Sequence, residues 1–143
     1  MFFIMKKIFV TGIFLLFTLF VFSQNSGALL ALKPDTVKLG EIALNELDQS
    51  NGKVQIVVFN EGNKPLILNE VSGCCGTNIM EWPKAPILPG KSGIIKVEFR
   101  IEPKPQLISR TVTIKSNSSK QTVVKVPIVG LVYQPKSKDE ITL

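Results

Sequence analysis

Apolar and polar residues alternate with a period of two along most of the chain after residue 24. In the clearest case, residues 93–101, the apolar positions are Ile95, Val97, Phe99 and Ile101, and the residues between them are charged. Such alternation is typical of a strand that buries one face and exposes the other. We therefore expect Phe99, in the middle of this apolar face, to be buried.

Two later segments repeat the pattern. Residues 110–116 place Val112 and Ile114 on the inward face, and residues 122–132 place Val124, Val126, Ile128 and Val132 there. Pro127 falls on the outward face of the second segment. Because proline cannot donate a hydrogen bond to a neighbouring strand, we expect one side of that strand to be an edge or a bulge at Pro127.

Three earlier segments also predict strands: 35–42, 53–60 and 65–71. The segment 53–60 is apolar on both faces, which indicates an interior strand. Turn-forming residues separate the segments, and only 43–49 could form a single helical turn. Six or seven short strands in about 100 residues predict an all-β protein, a β-sandwich of about seven antiparallel strands over residues 35–133. An N-terminal segment, 24–34, precedes it and a polar tail, 134–143, follows it.

The first 23 residues are typical of a secretory signal peptide. Lys6 and Lys7 precede an uncharged apolar run of fifteen residues, 8–22, and cleavage is expected before Gln24. As a helix the run would extend roughly 22 Å, which is short of a hydrocarbon core of about 30 Å. We therefore expect an exported protein, periplasmic or extracellular, without a stable membrane anchor after cleavage. An uncleaved anchor is the alternative.

Charge and composition exclude several function classes. The net charge of +6 falls to +4 without Lys6 and Lys7, and the remaining basic residues are scattered rather than grouped with aromatic residues. Nucleic-acid binding is therefore not expected. The chain has no histidine, so Ser-His-Asp and Cys-His catalytic arrangements cannot form. We expect no enzyme activity and no cofactor.

The segment 70–93 contains the only two cysteines, Cys74 and Cys75, and the only tryptophan, Trp82. Adjacent cysteines bridge each other only through a strained ring. Two thiols without histidine also cannot complete a four-ligand zinc site within one chain. Unreactive thiols or a disulfide-linked dimer are the simpler interpretations, and a redox or metal site is the alternative.

The order of several short motifs resembles a family of bacterial exported proteins known as a domain of unknown function, family fifteen-seventy-three. The motifs are Asn-x-Gly-Asn-x-Pro-Leu from Asn60, a cysteine-containing loop, Pro-Ile-x-Pro-Gly from Pro86, Ser116-Asn117, and Ile-x-Gly from Ile128. The resemblance implies an immunoglobulin-like sandwich, similar to the major sperm protein, PapD-like and Hydin-type modules. It implies no established activity.

The cysteine loop departs from the family pattern of Ser-Cys-Gly-Cys-Thr. Counted back from Trp82, Cys75 occupies the first family cysteine position and Thr77 the second, while Cys74 is additional. A redox or metal role shared with the family is therefore not expected.

Three functions remain as hypotheses. The preferred one is an exported, non-catalytic structural or interaction module whose partner is a protein. The second is a thiol redox or metal-binding protein that uses Cys74 and Cys75. The third is a PapD-like chaperone that pairs through an exposed edge strand. Because loops at the ends of sandwiches often carry binding residues, the candidate interaction loop consists of Cys74, Cys75, Trp82, Pro83 and Lys84.

Overall fold

The computed structural model describes residues 27–48 and 50–136. Within them, eight strands form two four-stranded sheets, ordered β1-β3-β6-β5 and β2-β8-β7-β4. The strands are β1 (Leu30–Leu32), β2 (Val37–Ala43), β3 (Lys53–Asn60), β4 (Leu68–Gly73), β5 (Thr77–Glu81), β6 (Ser92–Phe99), β7 (Gln106–Ser116) and β8 (Val123–Tyr133). A single 3₁₀ turn, Leu44–Glu46, follows β2. The predicted all-β sandwich is confirmed.

The core lies between the two sheets and is built from the inward-facing residues of the four interior strands. These residues are Val54, Ile56 and Val58 of β3, Ile95, Val97 and Phe99 of β6, Ile108, Val112 and Ile114 of β7, and Val126, Ile128 and Val132 of β8. Each buried aliphatic side chain of this size contributes about 1.5–3 kcal/mol. The register predicted from alternation is confirmed, since Phe99 is 4% exposed.

The strand inventory differs from the prediction in two respects. Eight strands are present rather than about seven, because β1 lies in the segment expected to precede the domain and β5 lies in the loop between predicted strands. One pair, β2 with β8, is parallel. Both missed strands are short, and β5 has a register shift between Ile79 and Glu81. A bulge interrupts the two-residue period that marks a strand in sequence.

Pro127 lies where β8 has a partner on one side only. β8 is an interior strand between β2 and β7, and Pro127 is opposite Thr111 of β7. The pairing with β2 begins one residue later, at Val37 opposite Ile128. The expectation of a local edge at Pro127 agrees with this register.

A polar network around Asn60 ties together the loops at one end of the sandwich. Asn60 is 1% exposed; its Oδ1 accepts hydrogen bonds from the N–H groups of Leu29 and Gly62, at 3.3 and 3.0 Å. Its Nδ2 donates to the carbonyl oxygens of Lys64 and Ile87, both at 2.8 Å. The Asn60 motif of the family pattern is therefore structural: it replaces the strand pairing that these turns lack.

Two predicted segments fall partly or wholly outside the described residues. The signal segment 1–23 lies wholly outside them, and the polar tail 134–143 is described only to Lys136. Among the residues that the structure describes, no helix has both the length and the apolar character needed to span a bilayer.

Candidate functional site

The two cysteines form the turn by which the chain crosses from one sheet to the other. β4 ends at Gly73, β5 begins at Thr77, and the N–H of Thr77 donates to the carbonyl of Cys74 at 3.0 Å. Cys75 and Gly76 complete the turn with φ angles of 54° and 75°. A left-handed conformation is uncommon for a residue with a side chain. This turn leaves Cys75 exposed, whereas Cys74 is half-buried.

Cys74 is held against the neighbouring strand β7 by two contacts with Thr111. The N–H of Cys74 donates to the Thr111 carbonyl at 3.0 Å. In return, the N–H of Thr111 donates to the Cys74 sulfur at 3.2 Å. A backbone N–H aimed at sulfur favours the thiolate over the neutral thiol.

The two thiols are free and differ in acidity. A hydrogen bond from Cys75, together with the Thr111 N–H and the positive charge of Arg110, lowers the pKa of Cys74. The neighbouring Cys74 raises the pKa of Cys75. Cys74 is therefore the more acidic thiol, although Cys75 is the more exposed.

Arg110 occupies a position on β7 where the pattern requires an apolar residue. Its neighbours on the inward face, Ile108 and Val112, are 5% and 0% exposed. The guanidinium carbon lies 5.9 Å from the centre of the Phe99 ring, and Nε is buried without a hydrogen-bond partner among the described residues. The sandwich thus places a cationic group between its sheets at the end where the cysteines lie.

Thr77 is a buried polar residue beside the cysteine turn. It is 7% exposed, and its Oγ1 has no hydrogen-bond partner in the described part of the chain. Gly73 packs so closely against it that a Cβ at Gly73 would lie 2.8 Å from the Thr77 Cβ. The site therefore combines two thiols, a cation and a hydroxyl. Within residues 27–48 and 50–136 there is no group of three Cys, Asp or Glu residues that could hold a metal ion.

A groove of about 590 Å³ opens at the same end of the sandwich. Asn78 of β5 and Phe99 of β6 line it, together with the charged residues Asp48, Glu98 and Arg100. Neither cysteine lines this groove.

The other predicted site residues are separated from the cysteines by the length of β5. Trp82, Pro83 and Lys84 follow β5, and the five residues of that strand extend about 13 Å. Trp82 packs against the core, and the Lys84 Nζ lies 3.2 Å from the centre of its ring. The structure therefore does not bring together the five residues expected to form one interaction loop.

An exposed apolar surface lies on the outer side of β7 and β8. We call it the β7–β8 face; its residues are Leu107, Pro127, Val129, Leu131 and Tyr133. Leu107 is 78% exposed and lies opposite Leu131, and Val129 and Tyr133 are 37% and 38% exposed. The outward positions of a sandwich strand are usually polar, and this row of apolar residues departs from that pattern. On the other sheet, Met80 and Ile94 are also exposed, at 62% and 45%.

The four edge strands are poor templates for pairing with another strand. β1 has three residues, and β2, β4 and β5 each contain a register shift, between Lys38 and Gly40, Leu68 and Glu70, and Ile79 and Glu81. Bulges and short edges are devices by which sheets avoid edge-to-edge association.

Sequence reasoning missed Arg110 and the β7–β8 face. For both, the signal was the parity of β7. Val112 and Ile114 set the inward positions, so Arg110 also falls inward and Leu107 falls outward. Arg110 and Leu107 are therefore exceptions to the alternation of inward apolar and outward polar residues. These exceptions are the sequence signal for the inward-facing cationic group and for the β7–β8 face.

The two sheets and their connections place the chain among immunoglobulin-like β-sandwich proteins. The family model described as "Protein of unknown function (DUF1573)" matches residues 30–132, so the chain belongs to this family, as the motifs predicted. No curated protein matches the chain in sequence.

Solved structures share this architecture. A protein of unknown function from Porphyromonas gingivalis W83 has a TM-score of 0.58 and 18% identity, over 78% of this chain and 50% of that one. The secreted serine protease VesC from Vibrio cholerae has a TM-score of 0.59 and 13% identity, over 82% of this chain and 25% of that one. The chain thus spans half of the first structure and a quarter of the second, and the likeness concerns the fold alone.

Proposed function

We propose that this chain is an exported, non-catalytic β-sandwich module that binds another protein through the β7–β8 face. The observation that carries the proposal is the exposure of Leu107, 78%, on the outward side of β7. A polar residue at such an exposed position would change the stability of the fold little. The presence of leucine favours a role in contact with a partner.

The apolar residues of this face are contiguous. Leu107 is opposite Leu131, and Ser109 is opposite Val129 one step further along both strands. Contiguous exposed apolar surface usually marks an interaction site. Covering one large aliphatic side chain contributes about 1.5–3 kcal/mol, so a partner that covers the face gains a substantial share of its binding energy there.

A non-catalytic role is supported by the chemistry of the sequence. Without histidine, neither the Ser-His-Asp nor the Cys-His arrangement can be assembled. One structural neighbour is a secreted serine protease, but this chain matches only a quarter of that protein. Export is supported by the signal-like segment 1–23, with its lysine pair and apolar run.

Binding through a face fits the molecule better than binding through an edge strand. Along β2, β4 and β5 a bulge interrupts the row of backbone groups available for pairing. The parts of β7 and β8 that have a partner strand on one side only, before Val112 and before Ile128, are short. The outer face of β7 and β8 has no such interruption, since their ten-residue register is continuous.

Site-specific photo-cross-linking tests the proposal. A photoreactive amino acid replaces Leu107, and in a matched control it replaces Gln55, an exposed residue on the outer face of the other sheet. In the exported fraction of the native cell, we expect a discrete cross-linked protein from position 107 and none from position 55. Equal cross-linking at both positions, or none at position 107, would contradict the proposal.

A further inference from the structure

We propose that Cys74 is a modification site that captures a small anionic disulfide as a mixed disulfide, with Arg110 binding the carboxylate of the captured thiol. This inference concerns the cysteine end of the sandwich and goes beyond protein binding through the β7–β8 face. The ligand class is a low-molecular-weight disulfide whose thiol bears a carboxylate.

Backbone hydrogen bonds hold the sulfur of Cys74 in a position from which it can act as a nucleophile. The Thr111 N–H lies 3.2 Å from it, and the reciprocal bond from the Cys74 N–H to the Thr111 carbonyl fixes the residue against β7. Cys74 is half-buried, so a small reagent can reach it. Fixed donors and a nearby cation are the features that distinguish reactive from inert cysteines.

Arg110 supplies the reason to expect an anionic reagent. Arg110 is half-buried at an inward position, and a polar atom that is buried without an acceptor destabilises the fold. Arg110 forms no ion pair among the described residues; the four ion pairs there are those of Lys33, Lys96, Lys104 and Lys115. Its Nε is buried and without an acceptor. A carboxylate bound here would supply the missing acceptor.

Thr77 is an independent observation that points to a ligand at this end. Its side chain is more than nine-tenths buried, and its hydroxyl has no partner within the described residues. It directly follows the cysteine turn and lies opposite Phe99, whose ring is beside Arg110. Thr77 and Arg110 thus each carry one buried polar atom without a partner among the described residues, and they lie on β5 and β7, the two strands whose backbones bond to Cys74.

The step is a thiol–disulfide exchange. The Cys74 thiolate, having released its proton to solvent, attacks one sulfur of R–S–S–R; a Cys74–S–S–R bond forms as the original S–S bond breaks. Cys74 is oxidised, the leaving R–S⁻ is reduced, and it takes a proton from solvent. Because adjacent cysteines bridge each other only with strain, Cys75 does not displace the captured group and the adduct persists.

The experiment compares two probes on the reduced purified protein. Oxidised glutathione carries carboxylates, and cystamine is a cationic disulfide without them. Intact mass and peptide mapping follow the reaction over time. We expect one adduct per chain, on Cys74, forming about tenfold faster with oxidised glutathione than with cystamine. Cys74→Ser should abolish it and Cys75→Ser should retain it.

Arginine variants separate the role of Arg110 from a general charge effect. Arg110→Gln should remove the preference for oxidised glutathione, whereas Arg100→Gln, at an exposed arginine of the same end, should leave it. If Arg110→Gln does not fold, Arg110→Lys, which keeps the charge, should retain most of the preference. Adducts on Cys75, equal rates for the two probes, or equal effects of the two arginine variants would overturn the proposal.

Discussion

Phe99 closes the core at the end of the sandwich where the cysteines lie. It is 4% exposed, lies opposite Thr77 on β5, and packs beside Arg110. Its neighbour Glu98 faces the opposite side of the same strand and is half-buried. Substitutions at the two residues therefore measure how much the inward face of β6 contributes to the free energy of unfolding.

Replacing Phe99 with alanine should lower the free energy of unfolding by about 3–5 kcal/mol, because it leaves a cavity in a packed core. Glu98→Ala should change it by no more than about 0.5 kcal/mol. Denaturant melts of both variants measure the difference. Equal losses would show that the register of β6 is wrong.

The acidity of the two thiols predicts the order in which they react as pH rises. The pKa of Cys74 is lowered by Cys75, which faces it from the turn, by the Thr111 N–H, and by Arg110, which faces it from β7. The pKa of Cys75 is raised by Cys74. The thiolate is the reactive form. Iodoacetamide labelling of Cys74 should therefore reach half its maximal rate at a lower pH than labelling of Cys75. The measurement uses the unaltered protein, with the labelled residue located by fragmentation mass spectrometry, because replacing either cysteine would remove the group that shifts the pKa of the other. The reverse order would refute this assignment.

Asn60 and Asn117, at the end of the sandwich opposite the cysteines, allow buried and exposed hydrogen bonds to be compared. Asn60→Ala should cost at least about 3 kcal/mol, since it leaves several buried backbone groups without partners. Asn117→Ala removes bonds to Ile67 and Pro65 that solvent can replace, and should cost about 0.5–1.5 kcal/mol. Thermal melts compare the two, and a similar loss at both would contradict a structural role specific to Asn60.

For single residues, the sequence predicted burial correctly where apolar and polar residues alternate without interruption. Phe99 and Val112 could be placed because each lies within a run of strictly alternating residues. Arg110 could not be interpreted, because its neighbours in space, Phe99 and Cys74, come from β6 and from the turn after β4. Contacts between distant parts of the chain depend on how sheets pack, which local patterns do not specify.

Among the elements, the connection from β4 to β5 is where prediction and structure differ most. The sequence indicated a loop, and the structure shows a crossover turn followed by an edge strand. β5 carries a bulge, and its exposed Met80 and half-buried Ile79 do not form a clean inward face. The short strand β1 and the parallel pairing of β2 with β8 also have no local signature, because each depends on a partner far away in sequence.

The double variant Cys74→Ser, Cys75→Ser tests whether this turn depends on its sulfurs. The backbone bonds of Cys74 with Thr111 and Thr77 do not involve the side chains. We expect the variant to fold, with a loss of no more than about 1–3 kcal/mol from the half-buried thiol. Circular dichroism and denaturant melts provide the measurement. Failure to fold would show that the thiols are structural.

In the whole molecule, the two proposed roles lie on two separate surfaces. Protein binding is assigned to the outer face of β7 and β8, and capture of a small disulfide to the cysteine end between the sheets. Leu107 faces outward from β7 and Arg110 faces inward from the same strand. Because the two side chains are on opposite faces of one sheet, each surface can be altered without removing the other.

The most direct test is the affinity of three variants for the protein that cross-links at position 107. Titration of that partner should give a dissociation constant at least about tenfold weaker for Leu107→Lys, which places a charge on the apolar face. The double cysteine variant and the matched control Gln55→Lys should bind like the unaltered protein. Unchanged binding by Leu107→Lys, or loss of binding when both sulfurs are removed, would contradict the assignment of protein binding to the β7–β8 face.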